Sequence, residues 1–451
     1  MRLRLEIALA RLVARLARLA GRGGTTLPGK VLASLDAGAV AKLAARLPHG
    51  SALVTGTNGK TTTAGMVAEI VGRRLGLAHN RAGANLVSGV ASTLLQSPDA
   101  ELGLFEVDEF AFPDVCAAVR PAAVSLGNLF RDQLDRYGEL EAVAARWRGA
   151  VGALPGSTVL VVNADDPALA GLASGRNALR FGVDDPAVGQ EHLPHAADSK
   201  YCLACGAPYV YTVSYVGHLG DWRCPSCGLA RPTLDVAARA VTPHGLDGLS
   251  FDLVTPSGTA RVELALPGLY NVYNALAAAG LALALRGTLE EIAAGLGRFR
   301  PAFGRFERIA IGDRTVIVLL VKNPAGANEA LRALLDGGPP GVAVLALNDE
   351  IADGRDVSWI WDVDYEALAA GLDRLIATGT RAQELALRFK YGGMAEDRIE
   401  VVPDIAAALD RGLELVPPGG RLPVLPTYTA MLRLRRVAAS RGHVRHFLEA
   451  A

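Results

Sequence analysis

The stretch Thr55-Gly56-Thr57-Asn58-Gly59-Lys60-Thr61-Thr62-Thr63 joins an apolar run at 51–55 to a helical stretch at 61–75. Few folds accept that order, because it reads as a buried strand, a tight glycine-rich turn and a helix N-terminus in succession. Glycines let the N–H groups of such a loop face one point. The helix end adds partial positive charge there, so the segment predicts a phosphate site. Lys60 is placed to bridge the β- and γ-phosphates of ATP, and the Thr61 hydroxyl to hold Mg²⁺. Gly56, Thr57, Asn58, Gly59, Lys60, Thr61 and Thr62 are the candidate nucleotide-binding residues. The spacing departs from G-x-x-x-x-G-K-[ST], since Val54 stands where the first glycine would be. A Gly-Lys-Thr alone is a common chance match, but one set between a strand and a helix is not.

The same rhythm continues along the chain. Apolar runs at 102–107, 122–126 and 158–162 alternate with helical stretches and end in polar or acidic residues. Strands alternating with helices predict a doubly wound α/β domain, with a mostly parallel sheet and its ligand at the carboxyl ends of the strands. Segment 236–265 reads as short strands and 270–297 as Ala-rich helices. Beyond Phe303-Gly304-Arg305-Phe306-Glu307 the alternation restarts at 315–321, 342–347 and 399–402, predicting a second, Rossmann-like α/β domain. A chain of 451 residues has room for two or three cores. The expected division is an N-terminal helical segment over 1–45, a central ATP-binding domain over 46–304 and a C-terminal α/β domain over 305–451.

Lys+Arg and Asp+Glu each number 46, so overall charge gives no reason to expect nucleic acid. No apolar run approaches the ~20 residues of a membrane span. Arg2, Arg4, Glu6, Arg11 and Arg15 interrupt any signal-peptide core, so a cytoplasmic protein is expected. Residues 2–20 read as one amphipathic helix, with Leu5, Leu9, Leu12, Leu16 and Leu19 on one face beside a basic stripe. Packing on its own domain is the simpler expectation for it; an anionic membrane surface or a partner is the alternative.

Mg²⁺ beside Thr61 calls for a carboxylate from a neighbouring strand end. Glu106 is the candidate, with Asp108 and Glu109 close behind it; a solvated acidic turn is the alternative. Asn128-Leu129-Phe130-Arg131-Asp132-Gln133-Leu134-Asp135 follows the next strand and would lie beside the same phosphates, or else cap a helix.

Cys202-x₂-Cys205 and Cys224-x₂-Cys227 stand 18 residues apart, the spacing of a Cys₄ zinc site. Four thiolates close a tetrahedron around Zn²⁺ and leave no open position, so the site would be structural. Residues 198–232 thus read as a zinc ribbon inserted in the central domain, with too few basic and aromatic residues to call for nucleic acid. The fifth cysteine, Cys116, lies on a predicted helix without a histidine nearby in sequence and reads as a buried structural residue.

The loop at 55–62, Glu106, the run 128–135 and Asn163-Ala164-Asp165-Asp166-Pro167 together resemble the Mur ligase family. Gly268-Leu269-Tyr270-Asn271-Val272-Tyr273-Asn274 and Gly304-Arg305-Phe306-Glu307 extend the resemblance. It implies that ATP phosphorylates a carboxylate and an amine then displaces the phosphate. Lys60 and Glu106 would serve as catalytic groups, and Asn271 and Arg305 would contact the nucleotide. Two departures stand out: Asp132-Gln133 where amino-acid-adding members have Asp-His, and Arg146 where several carry a lysine that becomes carbamylated.

Leu320-Val321-Lys322-Asn323-Pro324-Ala325-Gly326, Asn348-Asp349 and the stretch 352–362 resemble the MurT branch, and that likeness covers nearly the whole chain, ribbon included. It implies amidation of the D-glutamate α-carboxylate of lipid II, with ammonia from a GatD glutaminase in a heterodimer. An aspartate of the 352–362 stretch would complete the Cys–His pair of the glutaminase. Asp356 is the first choice and Asp353 the second; an Asx turn that only shapes the loop is the alternative. Cys116 supplies no glutaminase chemistry, which by itself points to ammonia from solution or from a partner. Two other readings are a ligase that adds an amino acid to a muropeptide or folate, and a nucleotide-dependent zinc-ribbon binding module.

Overall fold

A computed structural model describes residues 26–36, 38–80, 84–131, 140–194, 197–300 and 305–444, without the side chain of Arg305. The amphipathic stretch 2–20, Asp132, Gln133, Asp135 and Gly304 lie outside the described residues.

Four to six residues, with side chains turned alternately to the two faces, build each central strand. The strands of the first domain are β1 (Ser51–Thr55), β2 (Leu77–His79), β3 (Leu102–Glu106), β4 (Ala123–Leu126), β5 (Val159–Asn163) and β6 (Ala178–Val183). They continue with β7 (Val210–Val216), β8 (Leu219–Arg223), β9 (Val236–Pro243), β10 (Leu249–Thr255) and β11 (Gly258–Leu264). Nine of them form one sheet in the order β11-β10-β9-β6-β5-β4-β1-β3-β2, parallel from β2 to β9 and antiparallel at the β9–β10–β11 end. β1, β3 and β4 are buried along their whole length because helices cover both faces. Leu53, Phe105 and Val124 enter the layer that holds Trp147 and Phe112. Val54 and Leu104 point the other way, into the layer of the helix Leu269–Ala284. That helix is Ala-rich so that it can lie close to the sheet: a Cβ on Gly280 would stand 2.6 Å from Val161 Cγ1.

The strand order changes direction beside β1, with β3 on one flank and β4 on the other. Loops after β1 and β4 therefore part and open a crevice at the carboxyl end of the sheet, which is where open α/β sheets bind ligands.

A second sheet begins at Arg305: β12 (Arg305–Ile311), β13 (Arg314–Leu319), β14 (Val342–Ala346), β15 (Arg374–Thr378), β16 (Ile399–Val401) and β17 (Arg421–Pro426), in the order β12-β13-β17-β14-β15-β16. All its pairings but β12–β13 are parallel. The helix Pro324–Leu335 joins it to the first domain: Arg332 donates to Tyr215 O at 2.9 Å and to Val188 O at 2.5 Å. β7 and β8 make a separate antiparallel hairpin that carries the cysteine pairs.

Candidate active site

Gly56 and Gly59 hold φ of +150° and +83°, conformations that suit glycine, and a Cβ on Gly59 would lie 1.9 Å from Asn274 Oδ1. The loop is clamped from the β4 side. Asn128 O accepts from Thr57 N at 2.9 Å, Asn128 Oδ1 accepts from Asn58 N at 2.9 Å, and Asn128 Nδ2 donates to Asn58 O at 3.1 Å. Phe130 N adds a bond to Thr57 Oγ1 at 3.0 Å. These contacts satisfy part of the loop and leave the helix Lys60–Val71 to begin at its mouth.

Two carboxylates engage Lys60 and Thr61, one each. Thr61 Oγ1 donates to Glu106 Oε2 at 2.7 Å, and this hydroxyl and carboxylate together are a donor set of hard oxygens that fits Mg²⁺. Lys60 Nζ donates to Glu109 Oε2 at 2.8 Å, to Gly56 O at 2.5 Å and to Thr57 O at 3.2 Å. Burial alone would lower the pKa of Lys60, but the Glu109 carboxylate overrides it and holds the ammonium above its ordinary value. Burial likewise works against the Glu109 charge, and Lys60, helped by Lys322, wins and keeps that carboxyl below the usual range. Asn80 fixes the strand end by bonding both Glu106 O, at 2.7 Å, and Glu106 N, at 2.8 Å. The chain order of Glu106, Asp108 and Glu109 gave no means of assigning one to the lysine and one to the threonine; the fold does that, with Glu106 closing β3 beside Thr61 and Glu109 in the following turn beside Lys60.

Asn271 is hydrogen-bonded within its own segment. Its Nδ2 donates to Pro267 O at 2.7 Å and its Oδ1 accepts from Asn274 Nδ2 at 3.0 Å. Asn274 is the residue that reaches the loop, accepting from Thr63 Oγ1 at 3.4 Å. The spacing of the two, one helical turn apart, is the signal that they share a face. Asn323, from the C-terminal domain, meets Asn58 and also caps the helix Pro324–Leu335 by accepting from Gly326 N at 2.8 Å. Arg146, which stands where several Mur ligases carry a lysine, lies with its guanidinium 5.0 Å from the centre of the Phe110 ring. Farther along the seam is a cavity lined by Val188, Leu249, Gly268, Leu269, Arg332 and Glu329. Glu329 Oε2 has no hydrogen-bond partner, and burial pushes this carboxyl up to about 7.

Cys202, Cys205, Cys224 and Cys227 bring their Sγ atoms within 4.8 Å of one another. The pairs Cys202–Cys227 and Cys205–Cys224 stand at 3.6 and 3.4 Å, close to the ~3.8 Å edge of a tetrahedron with Zn–S bonds of about 2.3 Å, so the set fits zinc. Gly206 and Gly228 turn the two knuckles with φ of +75° and +78°. Cys116 is 3% exposed on the helix Phe112–Val119, and burial pushes its thiol up to about 12, which suppresses the thiolate a nucleophile requires.

In the 352–362 stretch the two aspartates differ. Asp353 is buried and accepts from Thr429 N at 2.8 Å and from the Thr429 hydroxyl. Asp356 is exposed, accepts from Ser358 N at 2.8 Å, and is held below the usual carboxylate range by hydrogen bonding from Ser358. Exposed Ile351, Trp361 and Tyr391 lie in and beside this stretch, with Trp361 and Tyr391 edge to face at 5.9 Å. Among the described residues no helix is long and apolar enough to cross a membrane.

Residues 54–216 match the Mur ligase middle domain, and residues 320–431 match the MurT ligase C-terminal family. The chain is 32% identical over 432 residues to the protein of Streptococcus pneumoniae (strain ATCC BAA-255 / R6) named lipid II isoglutaminyl synthase (glutamine-hydrolyzing) subunit MurT, covering 94% of each. This chain belongs to the MurT family, within the Mur ligases. A MurT subunit of Staphylococcus aureus (strain N315) is 30% identical over 433 residues, 94% of this chain and 95% of that one. Among solved structures, this MurT-family chain shares its fold with a pseudomurein peptide ligase type C from Methanothermus fervidus. That likeness has a TM-score of 0.69 at 21% identity and covers 87% of this chain and 78% of the other.

Proposed function

We propose that this chain is the synthetase subunit that converts the D-glutamate α-carboxylate of lipid II to an amide, using ammonia released by a GatD-type glutaminase. It is an ATP-dependent carbon–nitrogen ligase of peptidoglycan synthesis. The observation that carries this reading is the whole-length similarity to chains named as subunits of lipid II isoglutaminyl synthase. The loop geometry supports the chemistry.

Lys60 would exchange Glu109 for the β- and γ-phosphates of ATP, and Gly56 to Thr62 would line the phosphates with N–H groups. Thr61 and Glu106 would hold Mg²⁺, which supplies charge neutralisation at the phosphates. Asn271 and Arg305, carried over from the family pattern, would hold the rest of the nucleotide. The substrate carboxylate attacks the γ-phosphorus and ADP leaves. Ammonia then attacks the carboxyl carbon of the acyl phosphate, and phosphate leaves. Positioning and fixed charge provide most of the rate in such a reaction.

Cys116 is the only cysteine outside the Cys₄ cluster and is buried, so glutamine hydrolysis falls to a partner. Asp356 would orient the histidine of that partner's Cys–His pair, since it is exposed while Asp353 is occupied by Thr429. Ile351, Trp361 and Tyr391 would give the partner aromatic and aliphatic anchors around it. The complex would act in the cytoplasm, where the lipid-linked substrate meets the inner membrane face.

The deciding measurement is the ATP-dependent mass change of lipid II, first with ammonium chloride and then with glutamine plus a GatD subunit. A loss of about one mass unit under both conditions, and none with glutamine alone, is expected. Extension of the substrate by an amino acid would instead make this chain an adding ligase.

A further inference from the structure

A chain of buried contacts runs from the cysteine cluster to the phosphate loop. Arg231, just past the second knuckle, donates from Nε to Asp165 Oδ1 at 2.6 Å and from Nη2 to Val183 O at 2.6 Å. Asp165 is wholly buried, and its other oxygen accepts from Tyr273 OH at 2.6 Å and Val183 N at 2.9 Å. Tyr273 precedes Asn274, which fills the space beside Gly59, and Tyr273 itself lines the small cavity beneath the loop with Asn58 and Lys60. Two more contacts from the hairpin land on the same turn: Trp222 Nε1 donates to Ala164 O at 3.1 Å and Gly220 N to Asp165 O at 3.0 Å. On its far side that turn holds the clamp, with Asn163 Nδ2 on Gly127 O and Leu129 N on Asp166 Oδ2, both at 2.8 Å.

Arg231 is placed by the ribbon. Its N–H bonds Trp222 O at 2.9 Å, and the adjoining knuckle is closed by Cys224 N on Leu229 O at 2.6 Å. A buried carboxylate is costly without a cation, and Arg231 of the ribbon supplies the charge that offsets the burial of Asp165 inside the central domain. Gly182 makes room for this pair: a Cβ there would lie 2.2 Å from Asp165 Oδ1 and 2.9 Å from Arg231 Nη2.

We propose that Arg231 and Tyr273 are positioning residues for the nucleotide, and that zinc at the four cysteines and ATP at the phosphate loop favour each other's binding through Asp165. The proposal rests on the ATP reading of the loop. Zinc draws the two knuckles together and so fixes Arg231. Without it Arg231 is released, the Asp165 side chain loses its cation, Tyr273 loses a fixed acceptor, and Asn274 is no longer held against Gly59. Linkage then requires that zinc raise ATP affinity by the same factor as ATP raises zinc affinity.

The full-length chain is compared zinc-loaded and after stripping with a chelator under reducing conditions. Two affinities are measured: that for a fluorescent ATP analogue with Mg²⁺, and that for zinc by competition with a chromophoric chelator, with and without saturating ATP. Stripping is expected to weaken ATP binding about fivefold or more, and ATP to tighten zinc by a similar factor. Tyr273→Phe, which removes one hydroxyl, should keep its zinc and its melting temperature. Even when loaded it should bind ATP about as weakly as the stripped parent. Arg231→Met should match it, and Arg231→Lys should recover part of the loss. Loaded Tyr273→Phe that binds ATP like the parent, or a coupling under twofold, overturns the proposal. A stripped protein that unfolds leaves the decision to the loaded variants. A loaded parent that binds no ATP overturns the reading of the loop, and the coupling with it.

Discussion

Asn58 of the phosphate loop and Asn323 of the C-terminal domain face each other amide to amide. Asn323 Nδ2 donates to Asn58 Oδ1 at 3.1 Å, and Asn58 Nδ2 reaches Asn323 Oδ1 at 3.5 Å. The same Asn323 oxygen caps the helix Pro324–Leu335, so one side chain ties a helix start in one domain to the loop of the other. Asn323→Asp keeps an oxygen for the cap and loses the donor toward Asn58. It is expected to leave the melting temperature nearly unchanged and to lower the ATP-dependent rate about tenfold, ~1.4 kcal/mol of barrier. Steady-state kinetics beside a thermal melt would separate the two effects.

Glu109 competes with phosphate for Lys60. Glu109→Gln removes the charge but keeps the shape, so ATP·Mg²⁺ should bind several-fold tighter while the free protein loses about 1–3 kcal/mol, because a buried ammonium has lost its counter-charge. Since the folded Glu109 carboxyl titrates below its unfolded value, its contribution is present above the ordinary carboxylate range and fades as pH falls through the depressed value. Acid melts of parent and variant should converge at low pH. Weaker ATP binding in the variant would instead make Glu109 part of the nucleotide site.

Glu329 works in the opposite sense. Its carboxyl ionises near 4.5 in the unfolded chain and is pushed up to about 7 by burial, so stability is greatest below the first value, falls as pH rises through the window, and is level above the second. The loss across the window is roughly 3 kcal/mol. Glu329→Gln should therefore melt higher than the parent at pH 8, with the gap shrinking toward pH 5. A gap of constant size would mean that the carboxyl does not titrate in that window.

Asp356 and Asp353 should separate by readout. Asp356→Asn is expected to cut glutamine-dependent amidation by tenfold or more while ammonium-dependent amidation continues. Asp353→Asn should lower the melting temperature, because Thr429 N and its hydroxyl lose a charged acceptor. Loss of both ammonia routes in Asp356→Asn would place that residue in the synthetase chemistry and not at the partner.

Cys116→Ala should retain zinc and full amidation with ammonium at a cost of about 1 kcal/mol in stability, since a small buried thiol is replaced by a smaller group. A large fall in activity at unchanged stability would return the thiol to consideration as a reacting group.

Much of the fold was legible because burial on both sheet faces leaves continuous apolar runs, and 51–55, 102–107 and 122–126 each carry one. The cysteine spacing was equally direct, since metal geometry restricts where ligands can stand in sequence. Glu106 could be named as a strand-end carboxylate. That Glu109 holds Lys60, that Asn274 bonds Thr63 while Asn271 bonds Pro267, and that Asn323 meets Asn58 across 265 residues could not be read from spacing.

The sequence by itself determined the strand–loop–helix phosphate motif, the closed Cys₄ set and the succession of two α/β units, because each depends on local backbone geometry or on ligands close in the chain. Only the tertiary structure decided which carboxylate meets which cation, which aspartate is buried, and how Arg231 of the ribbon reaches Asp165 beneath the loop. Those pairings arise where separate strands end side by side. Charges that leave water there stabilise the fold only if a partner from another segment arrives at hydrogen-bonding distance.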